Sequence, residues 1–374
     1  MHNFPKRNRT QEETETAADG NDRTRPWPKI KTRMKHLKYI ALSIGCLCGA
    51  FAQTSCDIID DDLSDCGKDY TLIYRIVLDD NVDEELDHVL DAPADAAARE
   101  LLRTTLRNGI FANQGRDLDA SFYLTTADEA RRHHAQVQMG GQQQAQYTFY
   151  LPAEPYRHLA VANVGQEPLV KLTQDTLRST ARLLQLQADT IDSQSAGYFS
   201  ARKNIEEPRQ DTTVYVDLYM VNSAVALVVD TTGYDIRSMH VVVQDMATQF
   251  GVNDSLYTFT QSPVIRTREL QPSADGKKAC FMSVCLPSAN TPTRAGMPDD
   301  TGEGSYWQMR AYVTLQDGSV TENVLYIRQP LPAGRLKVIK AMMEPHGVIE
   351  STTNEVSVAV QFDWQPGGSY NPTF

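Results

Sequence analysis

"YTLIYRIVL", residues 70–78, sets the reading of the chain. Tyr70, Leu72, Tyr74, Ile76 and Leu78 fall on one side of an extended backbone. A period of two is that of a β-strand with one face on a core. The same pattern recurs along the sequence. "QYTFYLP" places Tyr147, Phe149 and Leu151 together, and "TVYVDLYMV" aligns Val214, Val216, Leu218 and Met220. "YWQMRAYVTLQDGS" aligns Trp307, Met309, Ala311, Val313 and Leu315, then turns at Asp317-Gly318. "MHVVVQDM" and "ACFMSVCL" are apolar on both sides, as strands buried on both faces are. The fold class expected is therefore mainly β, built as two tandem antiparallel β-sandwich domains.

Between these strands a few segments break the period. "DAPADAAARELLRTTLRNG" has Pro93 near its start, Asn108-Gly109 at its end, and Ala98, Leu102 and Leu106 on one face, which predicts a helix inserted in the first domain. "DTLRSTARLLQLQ", from about Asp175, reads as a second helix. "QVQMGGQQQAQ" (136–146) and the stretch 287–305 read as polar loops. The charged "KNIEEPRQD" (203–211) is the expected domain boundary, giving an N-terminal domain at 67–207 and a C-terminal domain at 208–374.

Upstream, Met34 to Cys56 has a basic start (Lys35, Lys38), an apolar run from about Tyr39 to Ala52, and small or polar residues before a cysteine. This is the layout of a secretory signal peptide, and the run is too short for the ~20 residues of a membrane-spanning helix. Residues 34–55 are read as the signal and Cys56 as its lipidated end, although Gln53 stands where a lipoprotein signal usually has an aliphatic residue. Several acyl chains on one cysteine exceed what stable anchoring needs. Residues 1–33 have almost no aliphatic side chains and cannot form a core; translation starting at Met34 is the expectation. Without the first 55 residues, which carry ten Lys+Arg against five Asp+Glu, the net charge falls from −12 to −17. So acidic a surface disfavours nucleic acid.

No sequence pattern of a catalytic site stands out. There is no G-x-S-x-G, P-loop, H-E-x-x-H or paired C-x-x-C. His133 and His134 are adjacent, in a helical or loop context, and cannot both face one metal from a regular helix. The aspartates at 57–65 lack the glycine and final glutamate of a calcium loop. Cys280 and Cys285 sit five apart in a strand, on opposite faces, and are read as buried thiols that cannot pair. No enzyme activity, cofactor, metal or small-molecule substrate is expected.

The segment "SCDIIDDDLSDC" (55–66), followed by "YTLIYRIVL", resembles the start of the FimB-like fimbrial anchor lipoproteins of Bacteroidales. "YTFYLPAEPYRHLAVAN" (147–163), "TVYVDLYMVNSAVALVV" (213–229), "PLPAGRLKVIKAMM" (330–343) and "VSVAVQFDWQPGG" (356–368) resemble further strands of that family in order. The helical insertion near 82–108 departs from it. The resemblance implies transthyretin-like or Ig-like sandwiches and a lipid-held place on the outer membrane, exposed at the cell surface. It implies the role of basal anchor subunit, fixing a fimbrium to the cell and limiting its length. A stalk subunit (fimbrillin) would be the partner, and residues 56–66 an acidic tether whose like charges keep it extended.

Fibre subunits can associate by adding a strand to a neighbour's sheet. "NEVSVAVQFDW" (354–364) suits this, with Val356, Val358, Val360, Phe362 and Trp364 on one side. The other reading is a strand native to the second domain, and both stay open. A competing function is a surface glycan-binding lipoprotein of a nutrient-uptake system. Only three tryptophans, Trp27, Trp307 and Trp364, are present to build the aromatic platforms it would need.

Overall fold

The helical insertion expected from Pro93 and the Ala98/Leu102/Leu106 stripe is present, in two helices. They are α1 (Val82–Val89) and α2 (Ala96–Thr105), with a single 3₁₀ turn at Pro93–Asp95 between them and a π turn at Leu106–Ile110 after them. The structure is a computed structural model; it describes residues 67–363 except 113–114, 127–128, 167, 208–209, 271–276, 292–303 and 354. Cys56, Cys66, Trp364 and much of the 287–305 loop therefore lie outside the described residues.

Everything else of note is strand. Sheet I runs in the order β3 (Arg131–Gln142), β2 (Gly115–Leu124), β5 (Tyr156–Ala162), β9 (Phe199–Ile205), β10 (Thr212–Met220), β1 (Lys68–Val77), β4 (Gln144–Leu151). Sheet II orders β16 (Arg268–Leu270), β17 (Lys278–Cys285), β11 (Ser223–Asp230), β20 (Leu336–Glu344), β21 (Val348–Ser351). Sheet III orders β22 (Val356–Asp363), β19 (Val320–Ile327), β18 (Trp307–Leu315), β12 (Ile236–Gln244), β15 (Val264–Arg266), β8 (Thr190–Asp192). The small sheet IV orders β14 (Tyr257–Thr258), β13 (Gln249–Gly251), β7 (Arg182–Gln185), β6 (Val170–Thr173).

Four expectations change. The polar stretch 136–146 is not a loop: it forms the end of β3 and the start of β4. Ala135, Val137 and Met139 alternate with glutamines there, and Met139 reaches the core. Gln143 alone joins these strands, which stand at opposite ends of sheet I, so the sheet curls until its edges meet; Gly140 and Gly141 take positive φ at that corner. The stretch from Asp175 is not a helix, because Ala181, Leu183 and Gln185 are buried at a spacing of two and the chain forms β7. His133 and His134 lie in a strand and so point to opposite faces. The pairing is not wholly antiparallel: β1 runs parallel to β10, β11 to β20, and β15 to β8.

The expected boundary at 203–211 joins β9 to β10, neighbours within sheet I. Val214, Val216, Leu218 and Met220, expected to open the second domain, therefore belong to the first sheet, and the chain leaves it at Val221-Asn222 to enter β11. Sheet II is a middle layer buried on both faces. Ala224, Ala226, Val228, Cys280, Met282 and Val284 join one core with sheet I and the helices. Val225, Leu227, Val229, Phe281 and Cys285 join a second core with sheet III. This is why "ACFMSVCL" reads as apolar on both sides; "MHVVVQDM", read the same way, lies in β12 of sheet III, with Val241, Val242 and Val243 buried. Cys280 and Cys285 are free and buried in different cores, and burial pushes their thiols up to about 11 and about 12.

Polar contacts fix the helices to sheet II. β21 reaches β20 only from Ala341 onward. At the uncovered end Asn81 donates to the Leu336 carbonyl (3.1 Å) and accepts from its N–H (2.7 Å), while Glu85 accepts from the Val338 N–H (3.0 Å). Buried Asp95 sits between Lys278 (2.8 Å) and Lys340 (2.5 Å). Burial alone would raise the Asp95 carboxyl, but the two ammonium groups outweigh it and hold it below the usual range.

Candidate functional site

β22 is the last described strand and an edge strand. Among the described strands it pairs with β19 alone, from Val356 opposite Ile327 to Asp363 opposite Val320. Val356 and Val358 pack, half-buried, against the second core; Val360 is also half-buried. Phe362 lies in the strand, and Trp364 lies outside the described residues. The structure thus places the alternating segment in its own molecule's sheet. An edge strand has one row of backbone groups unpaired. Among the described strands its one ladder is that with β19.

Its root is clamped. Glu355 accepts hydrogen bonds from Lys337 Nζ and Gln329 Nε2, and its carbonyl accepts from the Arg328 N–H (3.0 Å). Lys337 Nζ also donates to Gln329 Oε1 at 3.2 Å and lies 3.9 Å from Glu85 of α1. Lys337 thus has two carboxylates within reach, Glu355 and Glu85.

At the other end, the strand that follows Cys56 and the acidic segment is β1. It lies inside sheet I, parallel to β10 and antiparallel to β4. Tyr70, Leu72, Tyr74 and Ile76 are buried. The Tyr74 hydroxyl meets buried His158 Nε2 at 2.9 Å, and His158 Nδ1 lies 3.0 Å from the Ser121 carbonyl. A carbonyl can only accept, so Nδ1 carries the proton and Nε2 accepts from the tyrosine. Burial pushes the imidazole down to about 4, against the Ser121 bond that favours its charged form.

The adjacent histidines serve different surroundings. The His133 ring packs on Phe122 and Phe149. His134 Nε2 lies 2.7 Å from the buried Asp119 carboxylate, which also accepts from Gln136 and Gln174. This polar cluster lines a cleft of about 920 Å³ beside β2, β3 and β6. Sequence reasoning missed it because the partners meet only through β2–β3 pairing and a remote loop. Among the described residues no three His, Cys, Asp or Glu side chains come together as a metal site would require.

No family model matches the chain. Curated proteins give no match either. Among solved structures, the chain is similar to a candidate adhesin from Bacteroides ovatus, at 10% identity over 82% of this chain and 98% of that one, with a TM-score of 0.47. It is similar to the fimbrial anchor protein Mfa2 from Porphyromonas gingivalis, at 7% identity over 79% and 99% of the two chains and a TM-score of 0.44. It is also similar to the tip fimbrial protein Mfa3 of the same organism, in a C-terminally truncated form, at 9% identity over 80% and 100% and a TM-score of 0.39.

Proposed function

We propose that this protein is the basal anchor subunit of a fimbrium, held on the outer membrane by lipid at Cys56 and passing its C-terminal strand to the first stalk subunit. The observation that carries the reading is the contrast at the two ends of the described chain. β1, which follows the expected acidic tether, has a neighbour on each side inside sheet I, whereas β22 is a half-buried edge strand paired with β19. A subunit so built keeps its own N-terminal groove filled and offers only its far end, which would end growth at the cell. Val356, Val358 and Val360 would enter the partner's groove, with Phe362 and Trp364 continuing the series. Burying each such side chain is worth ~1.5–3 kcal/mol.

Two substitutions test this. Cys56→Ala should move the protein from outer membranes to the soluble fraction; continued membrane fractionation with uptake of labelled palmitate sinks the lipid assignment. Val358→Asp should leave the protein folded and on the membrane while fibres are shed into the medium. Normal fibre retention by a folded Val358→Asp protein places attachment elsewhere. Unfolding of the variant would make β22 a permanent part of sheet III.

A further inference from the structure

Asp230, Lys278 and Lys340 continue the face of sheet II that packs toward the helices. Asp230 of β11 stands directly opposite Lys278 of β17, and Lys340 of β20 stands opposite Val228 of β11. From the helical insertion, the turn at Pro93–Asp95 brings Asp95 between the two lysines. Asp95 is 1% exposed and Lys278 4%. A carboxylate and an ammonium so enclosed lose their hydration, and pairing offsets that loss only where the hydrogen bonds are complete. Here they are not. Lys340 Nζ donates to Asp95 Oδ2 at 2.5 Å, and Lys278 Nζ donates to Asp230 Oδ2 at 3.0 Å. Lys278 Nζ also lies 2.8 Å from Asp95 Oδ1, but outside the directions of a hydrogen bond, and that buried oxygen has no hydrogen-bond partner among the described residues.

A nitrogen held against a carboxyl group, closed to water and flanked by a second carboxylate, is an arrangement from which an amide can form. Groups fixed in contact react as if at ~10⁵–10⁸ M. The second carboxylate is itself positioned: Asp230 Oδ1 accepts from the Thr232 N–H at 3.0 Å, which leaves Oδ2 for Lys278. We propose that Lys278 and Asp95 condense to a covalent amide, a cross-link between β17 and the helical insertion.

Starting from the ion pair, one proton passes from the Lys278 ammonium by way of Asp230 to Asp95 Oδ1, leaving a neutral amine and a neutral carboxyl group. The amine's electron pair forms the Nζ–Cγ bond, and the charge that grows on Oδ2 is held by the Lys340 ammonium. Asp230 moves a second proton from Nζ to Oδ1, the Cγ–Oδ1 bond breaks with its electron pair, and one water leaves. Nζ keeps one hydrogen, Asp230 ends as the carboxylate it began as, and no further reactant is consumed. One buried charge of each sign disappears. Those that remain, on Lys340 and Asp230, are opposite and partly exposed, so neither is left stranded in the core. The bond would close residues 96–277 into a loop that a pull on the chain ends cannot lengthen. It is independent of the strand and the lipid on which the anchor reading rests.

The test is mass spectrometry of the full chain after trypsin digestion. The peptides that contain Asp95 and Lys278 should be found joined, one water lighter than the two together, with fragmentation placing the bond at those two residues. Asp230→Asn keeps the shape and the bond from the Thr232 N–H but removes the proton carrier, and should slow cross-linking in freshly made protein by ~10²-fold or more. Should Asp230→Asn fail to fold, the wild-type digest decides alone. The proposal is overturned if the wild-type protein yields only the separate peptides, in which case the cluster is an ion-pair network and nothing more. A bond that fragments to Lys340 or to Asp230 overturns it too, as does cross-linking at the wild-type rate in folded Asp230→Asn.

Discussion

β1 and β22 have the same sequence texture and opposite situations. Both carry an apolar residue at every second position: Tyr70, Leu72, Tyr74 and Ile76 in one, Val356, Val358, Val360 and Phe362 in the other. Yet β1 has a neighbour on each side and its apolar side chains are buried, while β22 has one neighbour and none of its described side chains is fully buried. Alternation says that a strand has a face to bury. It does not say how many ladders hold the strand. That number decides whether a strand is a permanent part of its sheet or one that can be lent to another molecule.

Charge substitutions should break the symmetry between the two most sharply. Leu72→Asp places a carboxylate where no water reaches and should cost more than about 4 kcal/mol, enough to abolish cooperative unfolding in urea. Val358→Asp puts the same group on a half-buried edge, where the side chain can turn to solvent. Its cost should be about 1–2 kcal/mol, seen as a lower urea midpoint with an unchanged slope. Equal costs would mean that the edge position gives β22 no freedom.

Acid should loosen the β1 sheet before it touches β22. His158, bonded to Tyr74, is held neutral in the folded protein, with its pKa pushed down to about 4 from an ordinary value near 6.5. Between those values the unfolded chain binds a proton that the folded one refuses. Stability is therefore full above about pH 6.5, falls as pH drops toward 4, and changes no further from this group below that. The loss is about 3 kcal/mol if the whole shift is realised. Hydrogen exchange should show β1, β2 and β5 amides gaining rate across that window, and His158→Gln should remove the pH dependence. The smallest effect belongs to the clamp at the root of β22. Glu355→Gln replaces a partly exposed ion pair with Lys337 and should cost less than about 1 kcal/mol, visible as faster exchange confined to β22.

How much of this could be read beforehand follows from where the interactions lie along the chain. Strands such as Trp307–Leu315 were legible because their period is local, and α2 because Pro93 and Asn108-Gly109 bracket it. The apolar run at 279–286 signalled burial on two faces and lies in the middle layer, whereas 239–246, read the same way, falls in β12 of sheet III. β3 was hidden by its glutamines: an edge strand can be polar on one side without ceasing to be a strand. The boundary at 203–211 misled because a charged hairpin loop and a charged linker have the same composition. Only the pairing of Tyr70 with Thr212, 142 positions apart, shows that β10 belongs to sheet I. The candidate strand was legible as a strand, and its edge position was not.

The placement of β1 also has a mechanical meaning. A pull delivered from upstream enters at Lys68 and runs along the strand. It meets β10 over Tyr70–Val77 and β4 over Lys68–Arg75 at the same time. Bonds on both flanks are loaded in shear and must fail together, whereas β22, held among the described strands by β19 alone, has only one ladder to lose. Stretched between its ends in an optical trap, the molecule should yield first at sheet III and keep sheet I intact. The grip at the β1 end then outlasts the grip at the β22 end.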